Sequence, residues 1–245
     1  MKFAHIRRLA ALGVVLAGAA AACKADLGLS IDFSLEGQTM TIEAFTELTA
    51  ATGGKLFQST GTGDMATLAG QAMTDGLVPG AAVDIAFVVD TTGSMGDDID
   101  AVKAKLSDLV SDLASQNPDW QVGVAEYRDI GDPFIAQLVQ PLTPDEPLVQ
   151  AGIAALDVDG GGDYCEHVYQ GLDTAIADFA WRVGSHHRIV LIGDAPPHRY
   201  AGDPHTFDSV IAAANADDVQ INAVVPECDA ICAALVQLLG GGSCD

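Results

Sequence analysis

Residues 83–89 (VDIAFVV) are almost continuously apolar and run directly into Asp90-Thr91-Thr92-Gly93-Ser94. An apolar run of this kind is typical of a parallel strand that helices cover on both faces, because both sets of alternating side chains are then buried. The polar residues that follow would stand at the carboxyl end of that strand. In open α/β sheets this is the edge where ligands bind.

Strands and helices alternate over the rest of the chain. Apolar residues at spacings of three and four predict a helix after the first strand, ending at Asn117-Pro118. Strand-like segments at 120–127 and 134–140, separated by a short polar turn, predict an antiparallel pair. Further predicted elements are a helix around 168–179, a strand at 188–192, a helix at 207–216, a strand at 219–225 and a helical face at 231–239. We therefore predict an α/β fold, a three-layer, doubly wound and mostly parallel sheet.

The composition excludes several classes of protein. The chain has 245 residues, 49% of them apolar and 18% charged, so a sizeable core can form. Acidic residues outnumber basic ones 34 to 11, and the formal net charge is −23. Such a chain lacks the basic surface that nucleic acid requires, and anionic lipid headgroups would repel it. We expect no nucleic-acid partner, whereas divalent cations would be attracted.

The start of the chain is typical of an export signal. Basic residues precede the apolar run 9–22, which is too short for a comfortable membrane span. Small residues before Cys23 resemble a bacterial lipoprotein signal, in which this cysteine is lipidated, and simple cleavage after Ala22 is the alternative. We assign residues 1–22 to a signal peptide. We expect a cell-envelope protein, anchored only through a lipid at Cys23 or else periplasmic or extracellular.

Export places the remaining cysteines in an oxidising compartment. They form an even set, so disulfide bonds are expected, and three pairings remain open. The set consists of Cys165, Cys228, Cys232 and Cys244. A zinc site is the competing interpretation, and no matching histidine spacing supports it.

Three polar segments are expected to converge at the binding edge of the sheet. They supply two hydroxyls and three carboxylates, namely Asp90, Thr92, Ser94, Asp163 and Asp194. Hard oxygen ligands in this number suit Mg²⁺, Ca²⁺ or Mn²⁺ rather than zinc or copper. Each segment alone is also an ordinary turn or helix cap. Their co-occurrence favours a cation, since buried carboxylates without one would repel each other.

These residues resemble the von Willebrand factor type A domain and its metal-ion-dependent adhesion site. The family motif runs Asp-x-Ser-x-Ser, followed by a distant Thr and a distant Asp. Asp90, Thr92 and Ser94 match its first part and Asp194 its last, whereas Asp163 stands where the Thr is expected. The blocks 90–95, 127–129, 160–166 and 194–198 further resemble a subgroup found in hemicentin-like extracellular proteins and alpha-kinases. We assign residues 81–245 to this domain.

The resemblance implies a binding function without catalysis. In this family Asp90 and Asp194 would hold the cation partly through water, and Thr92 and Ser94 would hold it directly. One coordination position would stay open for an Asp or Glu carboxylate of a partner protein. A carboxylate at Asp163 would hold the cation more tightly and reduce its demand for an acidic partner, which makes a purely structural cation the alternative.

A Mg²⁺-dependent phosphoryl hydrolase is the third interpretation. It would use Asp90 as nucleophile and would need an acid two residues later, where Thr92 stands. No lysine lies near Asp194 in the sequence to neutralise a phosphoryl group, and we therefore expect no enzyme. Arg128 and Asp129 are interpreted as a surface pair in preference to a loop-orienting one. Glu166, at a helix start, is interpreted as favourable to the helix dipole.

Residues 23–80 are too patterned for a linker. Alternation of Leu29, Ile31, Phe33 and Leu35 with polar residues predicts a half-exposed strand. A helix ending at Gly53-Gly54, a short strand at 56–57 and a second helix from Asp64 are predicted to follow. This order resembles the closing segment of the type A fold. The segment is either a circularly permuted part of the sheet, with residues 55–59 beside 219–225, or an independent appendage.

Overall fold

The computed structural model describes residues 31–59, 65–78, 80–162 and 165–225. Several predictions fall outside these residues and stay predictions. They concern the signal peptide, lipidation at Cys23, the side chain of Asp163, the helical face at 231–239, and Cys228, Cys232 and Cys244.

The described elements alternate between helices and strands. In chain order they are α1 (Ile31–Ala51), β1 (Leu56–Gln58), α2 (Met65–Thr74), β2 (Val83–Asp90), a 3₁₀ turn (Gly93–Asp97), α3 (Ile99–Gln116), β3 (Trp120–Tyr127), β4 (Ala136–Thr143), α4 (Glu146–Ala155), α5 (Val168–Asp178), β5 (His186–Ile192), α6 (Phe207–Ala216) and β6 (Val219–Val225). The α/β prediction is confirmed.

The strands form a six-stranded sheet in the order β1-β6-β5-β2-β3-β4. Every neighbouring pair is parallel except β3 and β4, which are antiparallel as predicted. Strand β2 lies inside the sheet, and all eight of its residues are buried. Its continuous apolar character therefore reflects cover on both faces.

Two apolar cores lie on opposite faces of the sheet. On one face α2, α3 and α4 pack over alternate residues of the strands, such as Ile85, Phe87 and Val89. On the other face α1, α5 and α6 pack over the intervening residues, such as Ala86 and Val88. The molecule is thus a three-layer sandwich, and the carboxyl ends of the parallel strands are left to the loops.

The N-terminal elements contribute to this sheet and to both cores. Strand β1 pairs in parallel with β6, and Leu56 lies opposite Ala223. Asn222 Nδ2 donates to the carbonyl of Ala72 in α2, and its Oδ1 accepts from Lys55 N at 2.8 Å. This is the pairing on which the permuted interpretation depends, and the relation by permutation itself stays a prediction.

The strand predicted from alternation at 29–35 is wrong over its described part. Residues from Ile31 onward belong to the long helix α1, which continues through the predicted helical stretch to Ala51. A short alternating run does not distinguish strand from helix. Extending an existing helix adds a hydrogen bond for each residue fixed, whereas an isolated strand needs a partner.

Among the helices that the structure describes, none combines the length and the apolar character that crossing a bilayer requires.

Candidate cation site

Two carboxylates stand at the ends of neighbouring parallel strands. Asp90 is the last residue of β2, and Asp194 lies two residues beyond the end of β5. The two strands pair in register, with Val89 opposite Ile192, so their carboxyl ends meet at one edge. Residues remote in sequence are therefore adjacent at the edge where α/β sheets bind ligands.

Two hydroxyls connect these carboxylates. Thr92 Oγ1 donates to Asp90 Oδ1 at 2.6 Å, and Ser94 Oγ donates to Asp194 Oδ1 at 2.9 Å. The hydroxyls of Thr92 and Ser94 are 3.2 Å apart. The structure thus brings Asp90, Thr92, Ser94 and Asp194 into one hydrogen-bonded chain. The predicted grouping of these four residues agrees with this arrangement.

The site has a buried floor and an accessible side. Asp90 and Thr92 are fully buried, whereas Ser94 and Asp194 are partly exposed and Gly93 is exposed. Asp90 Oδ2 is buried without a hydrogen-bond partner in the described part of the chain. An ionised oxygen in that position is costly unless a cation compensates it.

Burial shifts the pKa of both carboxylates of the site. Burial raises the pKa of Asp90 to about 7, and repulsion from Asp194 adds to the shift. Desolvation likewise raises the pKa of Asp194 to about 6. Burial first, and then the charge of Asp90, raises the pKa of the adjacent Tyr127 hydroxyl well above its ordinary value. Ionisation of both carboxylates is therefore energetically unfavourable in the absence of a bound cation.

This donor set fits a hard divalent cation. It consists of two carboxylates and two hydroxyls, one carboxylate oxygen being buried and unpartnered. Magnesium and calcium prefer such oxygen ligands. Within the described residues no three His, Cys, Asp or Glu side chains cluster as metal ligands, so hydroxyls would have to supply part of the coordination.

Glycines allow the loops to approach the carboxylates. A Cβ atom on Gly193 would lie 2.2 Å from the Tyr127 hydroxyl oxygen and 3.2 Å from Asp90 Oδ2. The backbone between β5 and Asp194 can therefore pass close to Asp90 only because residue 193 lacks a side chain.

The loop at 157–162 is tied to the loop after β2. Gly93 N donates to Gly160 O at 3.3 Å, and Asp159 N donates to Thr91 O at 3.0 Å. Asp132 Oδ2 accepts from Gly161 N, which fixes the glycine turn from its other side. The structure therefore places the glycine-rich segment, as far as residue 162, beside the loop that carries Thr92 and Ser94.

The interpretation of Arg128 and Asp129 as a surface pair is wrong. Both residues are buried, with exposed fractions of 6% and 3%. Arg128 donates from Nε to Thr91 Oγ1 at 3.2 Å and from Nη2 to Asp157 O at 2.7 Å, and its guanidinium lies over the ring of Phe134. Packing between remote loops removes this arginine from water, and Arg128 positions the loops around the site.

Glu166 is buried beside the site, which the sequence analysis did not predict. Its exposed fraction is 2%, and its Oε2 has no hydrogen-bond partner among the described residues. Burial, followed by the charges of Asp90, Asp129 and Asp194, raises its pKa to about 10. A helix N-terminus alone would favour the ionised form, so the helix-dipole interpretation is wrong. The signal in the sequence was its place three residues after Asp163.

Cys165, directly before Glu166, is buried and disulfide-bonded, in agreement with the prediction of disulfide bonds. Its partner lies outside the described residues. The choice among the three pairings therefore stays open.

The von Willebrand factor A domain family matches residues 84–231, and the chain belongs to this family. The matched range contains β2 to β6 together with both strand ends that carry the site. Members of this family are generally protein-interaction modules.

Individual relatives match only part of the chain. A putative ariadne-like RING finger protein of Acanthamoeba polyphaga mimivirus is 29% identical over 127 residues, covering 52% of this chain and 12% of the relative. The vWF domain of the type V pili tip protein Mfa5 from Porphyromonas gingivalis has 21% identity and a TM-score of 0.41, with 49% and 39% of the two chains covered. A structure of three N-terminal domains of Mfa5 has 20% identity and a TM-score of 0.39, with 46% and 19% covered. The chain therefore spans well under two thirds of each of these proteins.

Proposed function

We propose that this chain is a divalent-cation-dependent protein-binding module of the cell envelope. Asp90, Thr92, Ser94 and Asp194 would hold Mg²⁺, Ca²⁺ or Mn²⁺. A partner protein would contribute an Asp or Glu carboxylate. The observation that carries the proposal is that, among the described residues, the buried Oδ2 of Asp90 has no hydrogen-bond partner and no cationic side chain compensates it or the second carboxylate, Asp194.

The charges of the described residues support a cation. No Lys, Arg or His of this part of the chain forms an ion pair with Asp90 or Asp194. A bound divalent ion would supply the missing positive charge, and its attraction for oxygen anions would draw in a partner carboxylate. Asp163 would extend this ligand set as the resemblance implies.

The uneven exposure of the site supports an open coordination position. Thr92 at the floor is fully buried, whereas Ser94 and Asp194 reach solvent next to the exposed Gly93. Among the described residues of the site, the side of Ser94 and Asp194 is the one open to a partner side chain. An ion bound by the buried residues Asp90 and Thr92 could therefore accept an external carboxylate on its exposed side.

We further propose that the protein has no catalytic activity and is exported. Thr92 donates to Asp90 Oδ1, so the residue that a phosphoryl hydrolase would need as an acid is a neutral hydroxyl bound to the would-be nucleophile. Export, with or without a lipid at Cys23, rests on the character of residues 1–23 in the sequence.

A purely structural cation is the second candidate. It is favoured by the complete burial of Asp90 and Thr92, which would let an ion hold the loops together without meeting a partner. The two candidates differ in what they predict for binding partners, since only an interaction site requires the cation for protein capture.

Calorimetric titration with Mg²⁺, Ca²⁺ and Mn²⁺ tests the site, and pull-down from envelope extract in Mg²⁺ or EDTA tests the function. Ser94→Ala removes a hydroxyl that bonds Asp194, and we expect cation affinity to fall about tenfold or more, with loss of Mg²⁺-dependent capture. Ser115→Ala is the matched control, because Ser115 is exposed on α3 and bonds only the carbonyl of Asp112.

Three outcomes separate the candidates. Cation binding with Mg²⁺-dependent capture supports the interaction module. Cation binding that raises thermal stability without affecting capture identifies the structural ion. Absence of heat with all three cations contradicts both.

A further inference from the structure

The helix α1 reaches the candidate cation site from the N-terminal part of the chain. Thr41 Oγ1 donates to the backbone carbonyl of Asp194 at 3.2 Å, although 153 positions separate the two residues. Thr41 is fully buried, with an exposed fraction of 0%. The helix thus brings a buried hydroxyl donor to the loop that carries one of the two candidate carboxylates.

The packing of α1 determines where Thr41 lies. Phe45 and Leu48 follow Thr41 on the same helical face, and both are buried in the core that α1, α5 and α6 form with the sheet. At the other end of the contact, Thr52 Oγ1 accepts from Ile221 N at 3.2 Å. The helix is therefore fixed along its length by apolar packing and at its end by a bond to β6.

The helix and the sheet have matching lengths between these two contacts. At 1.5 Å per residue, Thr41 lies about 16 Å along the helix from Thr52. Ile189 of β5 pairs with Ile221, and the chain from Ile189 to Asp194 also covers about 16 Å at the rise of a strand. The core packing thus places the Thr41 hydroxyl at the carboxyl edge of the sheet, beside Asp194.

Two elements that are remote in sequence hold Asp194. Ser94 Oγ donates to its side-chain Oδ1 at 2.9 Å, and Thr41 Oγ1 donates to its main-chain carbonyl. The bond to the carbonyl fixes the peptide unit that follows Asp194, and it thereby restricts the directions that the carboxylate can take. A cation binds tightly when its ligands already have the required orientation before the ion arrives.

We propose that Thr41 is a positioning residue of the cation site and acts through the backbone of Asp194. The inference rests on the proposed cation binding, and it adds a residue that lies before the family match, which begins at residue 84. Thr41 does not touch the ion. Its hydroxyl keeps Asp194 in the orientation in which Ser94 meets it, so α1 contributes to cation affinity as well as to the core.

Thr41→Val tests this role, because valine keeps the branched shape of threonine and lacks the hydroxyl. In calorimetric titration of the whole chain, we expect Thr41→Val to weaken Mg²⁺ binding about tenfold, as loss of an outer-shell hydrogen bond does at metal sites. Thr41→Ser retains the hydroxyl, and we expect it to bind Mg²⁺ as the wild type does. Thr41→Ala also lacks the hydroxyl and replaces the valine variant should that variant fail to fold.

Thr46→Val is the matched control on the same helix. Thr46 is exposed, and its hydroxyl donates to the carbonyl of Ile42 at 2.6 Å. The substitution therefore makes the same chemical change away from the site, and we expect wild-type affinity for Mg²⁺.

A second measurement needs no cation. In EDTA, the ¹³C chemical shift of the Asp194 carbonyl reports on the donor bound to it. We expect this shift to move upfield in Thr41→Val and to stay unchanged in Thr46→Val.

The outcomes separate this role from a merely structural one. Weaker Mg²⁺ binding in Thr41→Val, with wild-type binding in Thr41→Ser and Thr46→Val, supports the positioning role. Wild-type affinity in Thr41→Val, even with reduced thermal stability, overturns that role and leaves the cation site standing. An equal loss of affinity in Thr41→Ser, or an unchanged Asp194 carbonyl shift in Thr41→Val, overturns it too. Absence of cation binding in the wild type overturns the proposed function and this inference with it.

Discussion

Asp84 and Asp90 belong to the same strand, β2, and both are fully buried, but their surroundings differ completely. Asp84 accepts hydrogen bonds from Arg182 Nε and N at 2.7 Å and from Ser185 Oγ at 2.9 Å. Asp90 accepts from the hydroxyl and the N–H of Thr92 and lies beside the Tyr127 hydroxyl, and no cationic side chain of the described residues pairs with it.

The difference shows how a structural carboxylate is distinguished from a candidate ligand. The fold supplies Asp84 with an arginine that also bonds Asp119, so its charge is compensated at all times. At the other end of the strand Asp90 lies near Asp194, and no basic side chain of the described residues pairs with either acid. Uncompensated burial of this kind destabilises the protein, and it is therefore typical of a site completed by an external ion.

Removing the compensation at Asp84 should have the largest effect on stability. Arg182→Ala leaves Asp84 buried without its cation, and we expect a loss of about 3 kcal/mol in the free energy of unfolding. The loss should be the same in Mg²⁺ and in EDTA, as measured by denaturant unfolding. Lys105→Ala, which breaks an exposed pair with Asp108, should cost less than about 1 kcal/mol. An equally small loss in Arg182→Ala would contradict the comparison.

At Asp90 the sign of the effect should depend on the cation. Asp90→Asn removes a buried charge, so in EDTA at pH 8 we expect stabilisation on the order of 1–3 kcal/mol. In saturating Mg²⁺ the wild type should gain stability and the variant should not. Thermal unfolding of both proteins in both buffers checks this. Asp108→Asn, an exposed change of the same kind, should show no cation-dependent difference. Destabilisation of Asp90→Asn in EDTA would contradict the interpretation that the charge of Asp90 is uncompensated.

The pH dependence of stability should also distinguish the uncompensated Asp90 from the compensated Asp84. Burial raises the folded-state pKa of Asp90 to about 7 and that of Asp194 to about 6, both above the ordinary aspartate value of 3.8. At a pH between the unfolded-state and folded-state pKa values, the folded protein holds protons that the unfolded chain releases. The free energy of unfolding without cation therefore falls as pH rises from about 4 to 7. We expect a slope of about 1 kcal/mol per pH unit in wild type relative to Asp90→Asn, measured by urea unfolding in EDTA. Parallel pH profiles for the two proteins would argue against the raised pKa.

Much of the architecture could be predicted because it depends on local patterns. The apolar run 83–89 and the polar residues after it predict a covered strand and its ligand-binding end. The short segment 55–59 was expected beside 219–225, and β1 lies there. The alternation at 29–35 predicted the wrong element, since pairing and helix extension compete over more residues than the run contains.

The candidate site was predictable only in part. Asp90, Thr92, Ser94 and Asp194 stand at the carboxyl ends of strands predicted to be parallel, so the sequence predicts that they share one edge of the sheet. That β2 and β5 are direct neighbours is shown only by the structure. The burial of Arg128 and Glu166 does not follow, because loops that are distant in sequence cover them. A polar residue after a strand looks the same in sequence whether water or another loop lies above it.

The amino-acid sequence by itself determined the periodicity of the elements, the negative charge of the chain and the residues at the strand ends, since these depend on neighbours within a few positions. Only the tertiary structure decided which carboxylates lose their water and which receive a compensating base. Desolvation and Coulomb repulsion act through space, and the groups that surround Asp84, Asp90 and Glu166 come from loops up to about a hundred residues away along the chain.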